Sequence, residues 1–192
     1  MKAITLKQPW AFLVCSGVKY IENRTWKCPE KYIGKRVLIH TSKTSYRFDN
    51  FYDSPLSNDQ LLALPDIIQY PTIHSAIIGS VRIVGCTINH PSIWAEKTEG
   101  TMVGHTFVTP KDVKPIYNWI LEDAILFDKP ILDVKGKLSF WESNYEILVC
   151  PKCDSYCLHN NFDAGVSGWG NPVCECRECG YMIQESEFEF VI

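Results

Sequence analysis

Two pairs of cysteines near the end of the chain have the spacing of metal ligands. Cys150 and Cys153 form one Cys-x-x-Cys pair, Cys176 and Cys179 form a second, and 22 residues separate the pairs. Four thiolates in this arrangement complete the closed tetrahedral shell of a structural zinc site. Gly180 follows the second pair and permits the left-handed turn that closes it. We therefore predict one structural zinc ion bound by these four cysteines.

The other cysteines offer competing interpretations. The chain has nine cysteines, and six of them lie between residues 150 and 179. Cys157, Cys174 and His159 are alternative ligands with poorer spacing. A secreted disulfide scaffold would distribute its cysteines through the fold and carry a signal peptide. No such leader and no long apolar run is present, so we expect a cytoplasmic protein that does not enter a membrane.

A second group of side chains, within the first forty residues, could bind a polar ligand or act on it. Glu22 and Arg24 alternate along a predicted strand and so share one face, on which Trp26 would also lie. Lys19 follows a glycine at the end of a predicted helix, and His40 ends the predicted adjoining strand. A carboxylate and a guanidinium together can recognise the edge of a polar ligand. A tryptophan can stack on a base.

Each of these residues also has a purely structural interpretation. Glu22 and Arg24 can form a structural ion pair. Trp26 can belong to the core, and His40 can be a histidine whose hydrogen bonds are satisfied within the fold. We predict that Lys19, Glu22 and Arg24 gather in one pocket, with Trp26 and His40 at or near its wall. Lys19 and Glu22 are the candidate catalytic residues, and the other three are candidate ligand-binding residues.

Charge is distributed unevenly along the chain, although its net value is only −3. Residues 19–47 contain eight basic and two acidic residues, whereas residues 150–192 contain two basic and seven acidic ones. The basic stretch could attract a polyanion such as RNA, or it could be an ordinary solvated surface. The acidic end would repel a polyanion and suits a protein contact better.

The elements that must hold these side chains are short strands and one early helix. The segment Gln8-Pro9-Trp10 predicts a helix start, and Gly17 predicts its end. Strands are predicted at residues 3–6, 19–26, 36–41, 76–88, 116–127 and 137–141, and a short helix is predicted within 54–65. This order lacks β-α-β alternation, so it predicts an α+β protein built on a small β-barrel.

Several motifs resemble the ASCH domain family. They are ITLKQPWA at residues 4–11, SGVKYIENRTW at 16–26, VLIHTS at 37–42, IGSV at 78–81, NWILE at 118–122 and KGKLSFWE at 135–142. The resemblance covers residues 1–146 and implies a PUA-like β-barrel, whose relatives bind RNA or modified bases. Residues 147–192 would then form a separate zinc ribbon.

The resemblance also implies a possible reaction, because some bacterial family members remove the acetyl group of N4-acetylcytidine. Their motif Gly-x-Lys-x-x-Thr-x-Arg places Lys19 at the lysine and Arg24 at the arginine, but Glu22 occupies the threonine position. Glu22 cannot supply that hydroxyl, although Lys19 and Glu22 together could activate water. The later glutamate of these enzymes corresponds to Glu96, Glu99 or Glu122.

The sequence therefore predicts a module that binds RNA or a modified nucleoside. The first alternative is a hydrolase that cleaves an amide or a phosphodiester of a nucleoside or RNA through Lys19 and Glu22. The second alternative is an adaptor that docks a protein partner through the acidic ribbon. No Gly-rich phosphate loop, Ser/His/Asp arrangement or zincin motif is present, so those enzyme classes are not supported.

Overall fold

The chain divides into two compact units, Ala3–Phe140 and a smaller one that combines Met1–Lys2 with Trp141–Ile192. The computed structural model describes residues 1–45, 56–64, 73–153, 156–160, 165–166, 172–176, 179–184 and 189–190. The sequence predicted domains of 1–146 and 147–192, and this division stays a prediction. None of the helices in these described ranges combines the length and the apolar character that a membrane span requires.

The first elements of the chain run up to residue 131. In chain order they are β1 (Lys2–Leu6), α1 (Trp10–Cys15), β2 (Ile21–Arg24), a 3-10 helix (Glu30–Tyr32), β3 (Arg36–Thr41), α2 (Asn58–Leu62), β4 (Ala76–Ile88), β5 (Thr101–Val103), β6 (Thr106–Val108) and β7 (Tyr117–Ile131). Of the predicted helix at 54–65, residues 54, 55 and 65 lie outside the described residues. Within the rest, Ser57 and Gln60 form a capping box that starts α2.

A single sheet with the strand order β2-β7-β4-β3-β1 forms the framework of the larger unit. Strands β1 and β3 run parallel, with Thr5 opposite His40, and the other pairs are antiparallel. The long β4–β7 pair contains three register shifts, and such bulges bend and twist a sheet. The prediction of a barrel with an early helix is confirmed in its coarser form. The described chain is a mostly β half-barrel with few helices.

The helix α1 packs on this sheet through its apolar face. Leu13 and Val14, three and four residues after Trp10, are fully buried. Gly79 on β4 lets the helix approach closely, because a Cβ atom there would lie 2.6 Å from the Cys15 sulfur. The helix ends as predicted at Gly17, whose φ of +78° is the left-handed conformation that glycine adopts at low cost. The chain then turns directly toward Lys19 and β2.

Three expectations about the strands are corrected by the structure. β2 ends at Arg24 and does not reach residue 26. β2 and β3 are not neighbours, because the long strands β7 and β4 pair with each other and lie between them. His40 is therefore not on a strand that adjoins β2. The predicted strand at 137–141 is absent from this described segment, where only Trp141 begins a short strand.

The C-terminal unit is built from short strands, and six of those described form two small sheets. Its strands are β8 (Trp141–Glu142), β9 (Tyr145–Val149), β10 (Tyr156–Asn160), β11 (Gly165–Val166), β12 (Pro172–Glu175), β13 (Met182–Gln184) and β14 (Glu189–Phe190). The orders of the two sheets are β10-β9-β14 and β11-β12-β13. Among the described residues, Cys150, Cys176 and Ile183 form a buried cluster that is accompanied by partly buried Cys179 and Tyr181.

Candidate functional site

Lys19, Glu22 and Arg24 form a connected network of charges. The Lys19 Nζ atom lies 3.4 Å from Glu22 Oε2, and the Arg24 Nε atom lies 3.0 Å from Glu22 Oε1. Lys19 is only 5% exposed and Glu22 only 8%. Each carboxylate oxygen of Glu22 thus faces a different cation, which offsets the cost of burying all three groups.

The exit of α1 determines where Lys19 points. The Lys19 amide donates a hydrogen bond to the Leu13 carbonyl at 2.8 Å, which closes the turn after the helix. Its ammonium group donates to the Ile21 carbonyl and lies 5.7 Å from the centre of the Trp10 ring. Burial lowers the pKa of Lys19 from its ordinary value of 10.5, and the charge of Glu22 opposes this shift. Lys19 is therefore easier to deprotonate than a solvated lysine.

A pocket of about 630 Å³ opens beside this network. Glu22, Arg24 and His40 line it together with the Trp10 side chain. Four exposed lysines complete its lining, namely Lys7, Lys43, Lys135 and Lys137. Glu22 is the only carboxylate among the described residues of the lining, which therefore carry an excess of positive charge. Such a pocket attracts anionic ligands.

His40 reaches the pocket because β3 lies beside β1, whose Thr5 is opposite it in register. Its side chain is 2% exposed, and its Nε2 atom donates to the Val134 carbonyl at 2.8 Å. Burial lowers the pKa of His40 below its ordinary value of 6.5, although the hydrogen bond to Val134 opposes this shift. The ring is therefore neutral at pH 7 and holds the segment that follows β7.

Trp26 is placed differently from the sequence expectation. Its ring packs edge-on against Trp119, with centroids 4.7 Å apart, and against Phe140 at 5.7 Å. Trp26 is a partly buried member of the hydrophobic core and does not line the large pocket. Because β2 ends at Arg24, the strand alternation that gives Glu22 and Arg24 a common face does not extend to residue 26. Trp10 instead provides the indole ring of the pocket.

A second pocket, of about 290 Å³, lies on the other side of Glu22 and Trp10. Lys19 and Glu96 line it, and the carboxylate of Glu96 raises the pKa of Lys19 slightly against the larger effect of burial. Asn23 fixes the loop that carries Glu96, since its side chain accepts from the Glu96 amide at 3.1 Å and donates to the Trp94 carbonyl at 3.0 Å. Among the three glutamates that the sequence left open, the structure places Glu96 beside Lys19.

The basic stretch at 19–47 is not a continuous binding surface. Arg36 is 8% exposed, and its guanidinium donates to the Asp123 carbonyl at 2.7 Å and to the Ser80 hydroxyl at 3.1 Å. Lys27 pairs with Glu30 at 3.7 Å. Arg47 lies outside the described residues. Much of the positive charge that the sequence shows is therefore neutralised within the fold, and the accessible lysines of the pocket matter more.

The four cysteines of the two Cys-x-x-Cys pairs come together in the C-terminal unit. All four sulfurs lie within 4.8 Å of one another, with Cys150 and Cys179 at 3.8 Å and Cys153 and Cys176 at 3.7 Å. Sulfurs that bind one tetrahedral zinc at about 2.3 Å are about 3.8 Å apart, so the arrangement fits such an ion. The second pair is closed by Gly180, whose φ is +68° and whose amide donates to the Cys176 carbonyl at 2.8 Å. Four cysteines thus lie close enough to bind a metal ion.

Sequence reasoning did not single out Lys7, Lys135 or Lys137 as site residues. Lys135 and Lys137 flank Gly136 in the motif KGKLSFWE, and the sequence predicts a strand for residues 137–141 of this motif. The segment is a loop whose position depends on contacts with Thr5 and His40, which are distant in sequence. The Lys-Gly-Lys pattern was the available signal, because two lysines around a glycine are unusual in a buried strand.

Comparisons with known proteins bear on the larger unit. None of the curated proteins matches this sequence. Among solved structures, the ASCH protein ZmASCH from Zymomonas mobilis, crystallised as a serine-to-alanine mutant, shares 15% sequence identity with a TM-score of 0.38, covering 69% of this chain and 73% of that chain. The family model of the ASCH domain matches residues 4–131. Because this match spans well over half of the chain, the protein belongs to the ASCH domain family.

Proposed function

We propose that the protein binds single-stranded RNA and holds one of its bases, or a modified base, in the large pocket. The family is generally regarded as RNA-binding. The observation that carries the proposal is the network of Lys19, Glu22 and Arg24, in which Glu22 and Arg24 line a pocket rimmed by lysines while Lys19 lies behind them and lines the second pocket. Buried charged groups that remain accessible from one side are suited to recognising the polar edge of a base.

The pocket contains the kinds of groups that recognition of a base requires. The Glu22 carboxylate can accept a hydrogen bond from an exocyclic amino group, and Arg24 can donate to a ring nitrogen or a carbonyl. Arg24 is fixed in place, because its Nη2 atom donates to the Thr5 carbonyl at 3.2 Å. The Trp10 ring offers an aromatic face, and stacking on such a ring contributes about 1–3 kcal/mol per base.

A hydrolase is the second candidate, and the lowered pKa of Lys19 favours it. Lys19, Glu22 and Glu96 all line the second pocket, so a lysine and two carboxylates surround one small cavity. Such groups can transfer protons during hydrolysis of an amide such as that of N4-acetylcytidine, or of a phosphodiester. On this hypothesis Lys19 and Glu22 are the catalytic residues, as the sequence predicted.

For the C-terminal unit we propose a structural zinc ion bound by Cys150, Cys153, Cys176 and Cys179. The sulfur distances support a closed four-thiolate shell, which leaves no position for a substrate. The adaptor role of the acidic ribbon stays a prediction, since most of its acidic residues lie outside the described part of the chain. The cytoplasmic location likewise stays a prediction.

Base binding is tested by titrating a fluorescein-labelled ten-nucleotide RNA of mixed sequence and following its anisotropy. Trp10→Ala should weaken binding about 5- to 150-fold, because it removes the stacking surface. Tyr20→Ala is the matched control, since it removes a 43% exposed ring that lines neither pocket. Circular dichroism verifies that both variants are folded. Unchanged affinity of folded Trp10→Ala, or no RNA binding by the wild type, would refute the proposal.

The hydrolase hypothesis is tested separately by incubating the protein with N4-acetylcytidine and with the same RNA. Product formation should stop in Lys19→Ala, whereas a protein that only binds should form no product in either case. Lys97→Ala is the control, because this lysine is exposed and lines neither pocket. Turnover that persists in Lys19→Ala would exclude Lys19 from the reaction.

A further inference from the structure

The segment 134–139, which follows β7 and lines the large pocket, has a fixed backbone and free charges. The Val134 amide donates to the Ser75 carbonyl at 2.7 Å, and the Val134 carbonyl accepts from His40. The Lys137 carbonyl accepts from the Thr5 hydroxyl at 3.0 Å. Lys135 and Lys137 are nevertheless exposed. The loop is thus held by its main chain while its two ammonium groups face no described carboxylate.

Gly136 explains how this loop lies against the pocket wall. A Cβ atom at this position would lie 2.3 Å from His40 Cε1 and 2.9 Å from the Thr5 hydroxyl oxygen. Real side chains do not tolerate the shorter of these contacts, so only glycine allows the backbone to lie on the imidazole ring. The backbone of the two lysines that flank Gly136 is consequently held at the rim of the pocket, next to His40.

Two further lysines reach the same pocket from the ends of neighbouring strands. Lys7 follows β1 and Lys43 follows β3, and the Ser42 amide donates to the Leu6 carbonyl at 2.7 Å, which joins the two strand ends. Among the described residues that line the pocket, Glu22 is the single carboxylate, and it already faces Lys19 and Arg24. The described lining therefore offers no further carboxylate to compensate the charge of the rim lysines.

The rim loop is also connected to the groups that would contact a base. Arg24 donates to the Thr5 carbonyl at 3.2 Å, and the Thr5 hydroxyl donates to the Lys137 carbonyl. Thr5 therefore fixes the position of Arg24 through its carbonyl group and the position of the loop 134–139 through its hydroxyl group. A ligand whose base contacts Arg24 and whose phosphates contact Lys135 and Lys137 fits this arrangement.

We propose that the loop 134–139 binds the phosphodiester backbone of the RNA strand, so that the pocket selects a nucleotide within a strand over a free nucleoside. This inference rests on the proposed function and specifies its substrate class. Lysines bind phosphate as point charges, and each phosphate contact on a single strand contributes about 0.7 to the slope of log affinity against log salt concentration.

The first experiment compares the labelled ten-nucleotide RNA with a peptide nucleic acid of the same base sequence, whose backbone is uncharged. The RNA should bind at least ten times more tightly, and the difference should shrink as salt increases. Equal binding of both probes would overturn the role of the phosphates and leave base recognition intact. Failure of the RNA itself to bind would refute the proposed function instead.

The second experiment identifies the loop. The double variant Lys135→Gln/Lys137→Gln should lower the magnitude of the salt slope by about 1.4, the value for two phosphate contacts. Lys111→Gln/Lys114→Gln is the matched control, because it removes two exposed lysines that line neither pocket. Trp10→Ala should weaken binding without changing the slope. A slope that changes equally in both double variants would overturn the assignment to this loop.

Discussion

The pocket of the larger unit and the cysteine cluster of the C-terminal unit both collect groups that are costly to bury, but they compensate this cost differently. In the pocket, the chain provides its own counterions, since Glu22 faces Lys19 on one side and Arg24 on the other. In the cluster, Cys150 and Cys176 are fully buried, and their sulfurs lie 3.8 Å from that of Cys179 and 3.7 Å from that of Cys153, respectively. Four thiolates cannot remain together without a cation.

The hydrophobic residues around the two sites also differ. The pocket stands on a core that includes fully buried Trp119, Ile39 and Ile83. The described core of the cysteine cluster consists of Cys150, Cys176 and Ile183. Small modules commonly depend on a bound metal ion for folding. On the zinc proposal, the first site is therefore organised by the fold, whereas at the second the ion helps to organise the fold.

The largest effect is expected from Cys176→Ser, which removes one of the four thiolates. Structural zinc contributes roughly 10–16 kcal/mol to the folding of small zinc-binding peptides, so the strands of the C-terminal unit should lose their protection from hydrogen exchange. Elemental analysis should show loss of the stoichiometric zinc. Cys157→Ser and Cys174→Ser are the controls and should retain it. Zinc retained in Cys176→Ser, or lost in either control, would show that the ligand set is wrong.

A smaller but substantial effect is expected from Glu22→Gln, which leaves Lys19 and Arg24 without their shared carboxylate. Breaking a buried ion pair on one side costs about 3–5 kcal/mol, measured as the free energy of unfolding in urea. Glu30→Gln is the matched control, because the Lys27–Glu30 pair is 61% and 90% exposed. Such a surface pair contributes about 0–1 kcal/mol. Equal effects of the two changes would mean that the fold does not depend on the buried network.

The smallest effect concerns the pH dependence of stability through His40. Because burial lowers the pKa of His40 below 6.5, the unfolded chain binds a proton more readily than the folded chain between the two pKa values. The free energy of unfolding should therefore rise with pH across this window and gain nothing more from His40 above about 6.5. His40→Gln should remove this part of the slope in urea titrations between pH 5 and 7.

The matched control for the pH experiment is His105→Gln, because His105 is exposed. It should leave the pH dependence of stability unchanged. If His105→Gln flattens the slope as much as His40→Gln does, the buried position of His40 is not its cause. Together the three experiments distinguish two sources of stability. One is the set of charged groups within the larger unit, and the other is the ion proposed for the C-terminal unit.

Patterns that depend on neighbouring residues led to correct predictions of structure. The segment Gln8-Pro9-Trp10 and Gly17 predicted the start and the end of α1, and the strand predicted at residues 76–88 is β4. Strand alternation placed Glu22 and Arg24 on one face, and the structure brings them into contact. The same rule failed for Trp26, because β2 ends two residues earlier and the chain then turns into the core.

The sequence alone determined the grouping of the four cysteines, the early helix and the shared face of Glu22 and Arg24. These features depend on spacings of two to four residues, which the local backbone geometry converts directly into positions. Only the tertiary structure decided three further features. They are the approach of His40 to the pocket, the position of Glu96 beside Lys19 and the positions of Lys135 and Lys137 at the rim. Each of them depends on the order of strands in the sheet and on contacts between residues that are more than a hundred positions apart, such as Thr5 and Lys137.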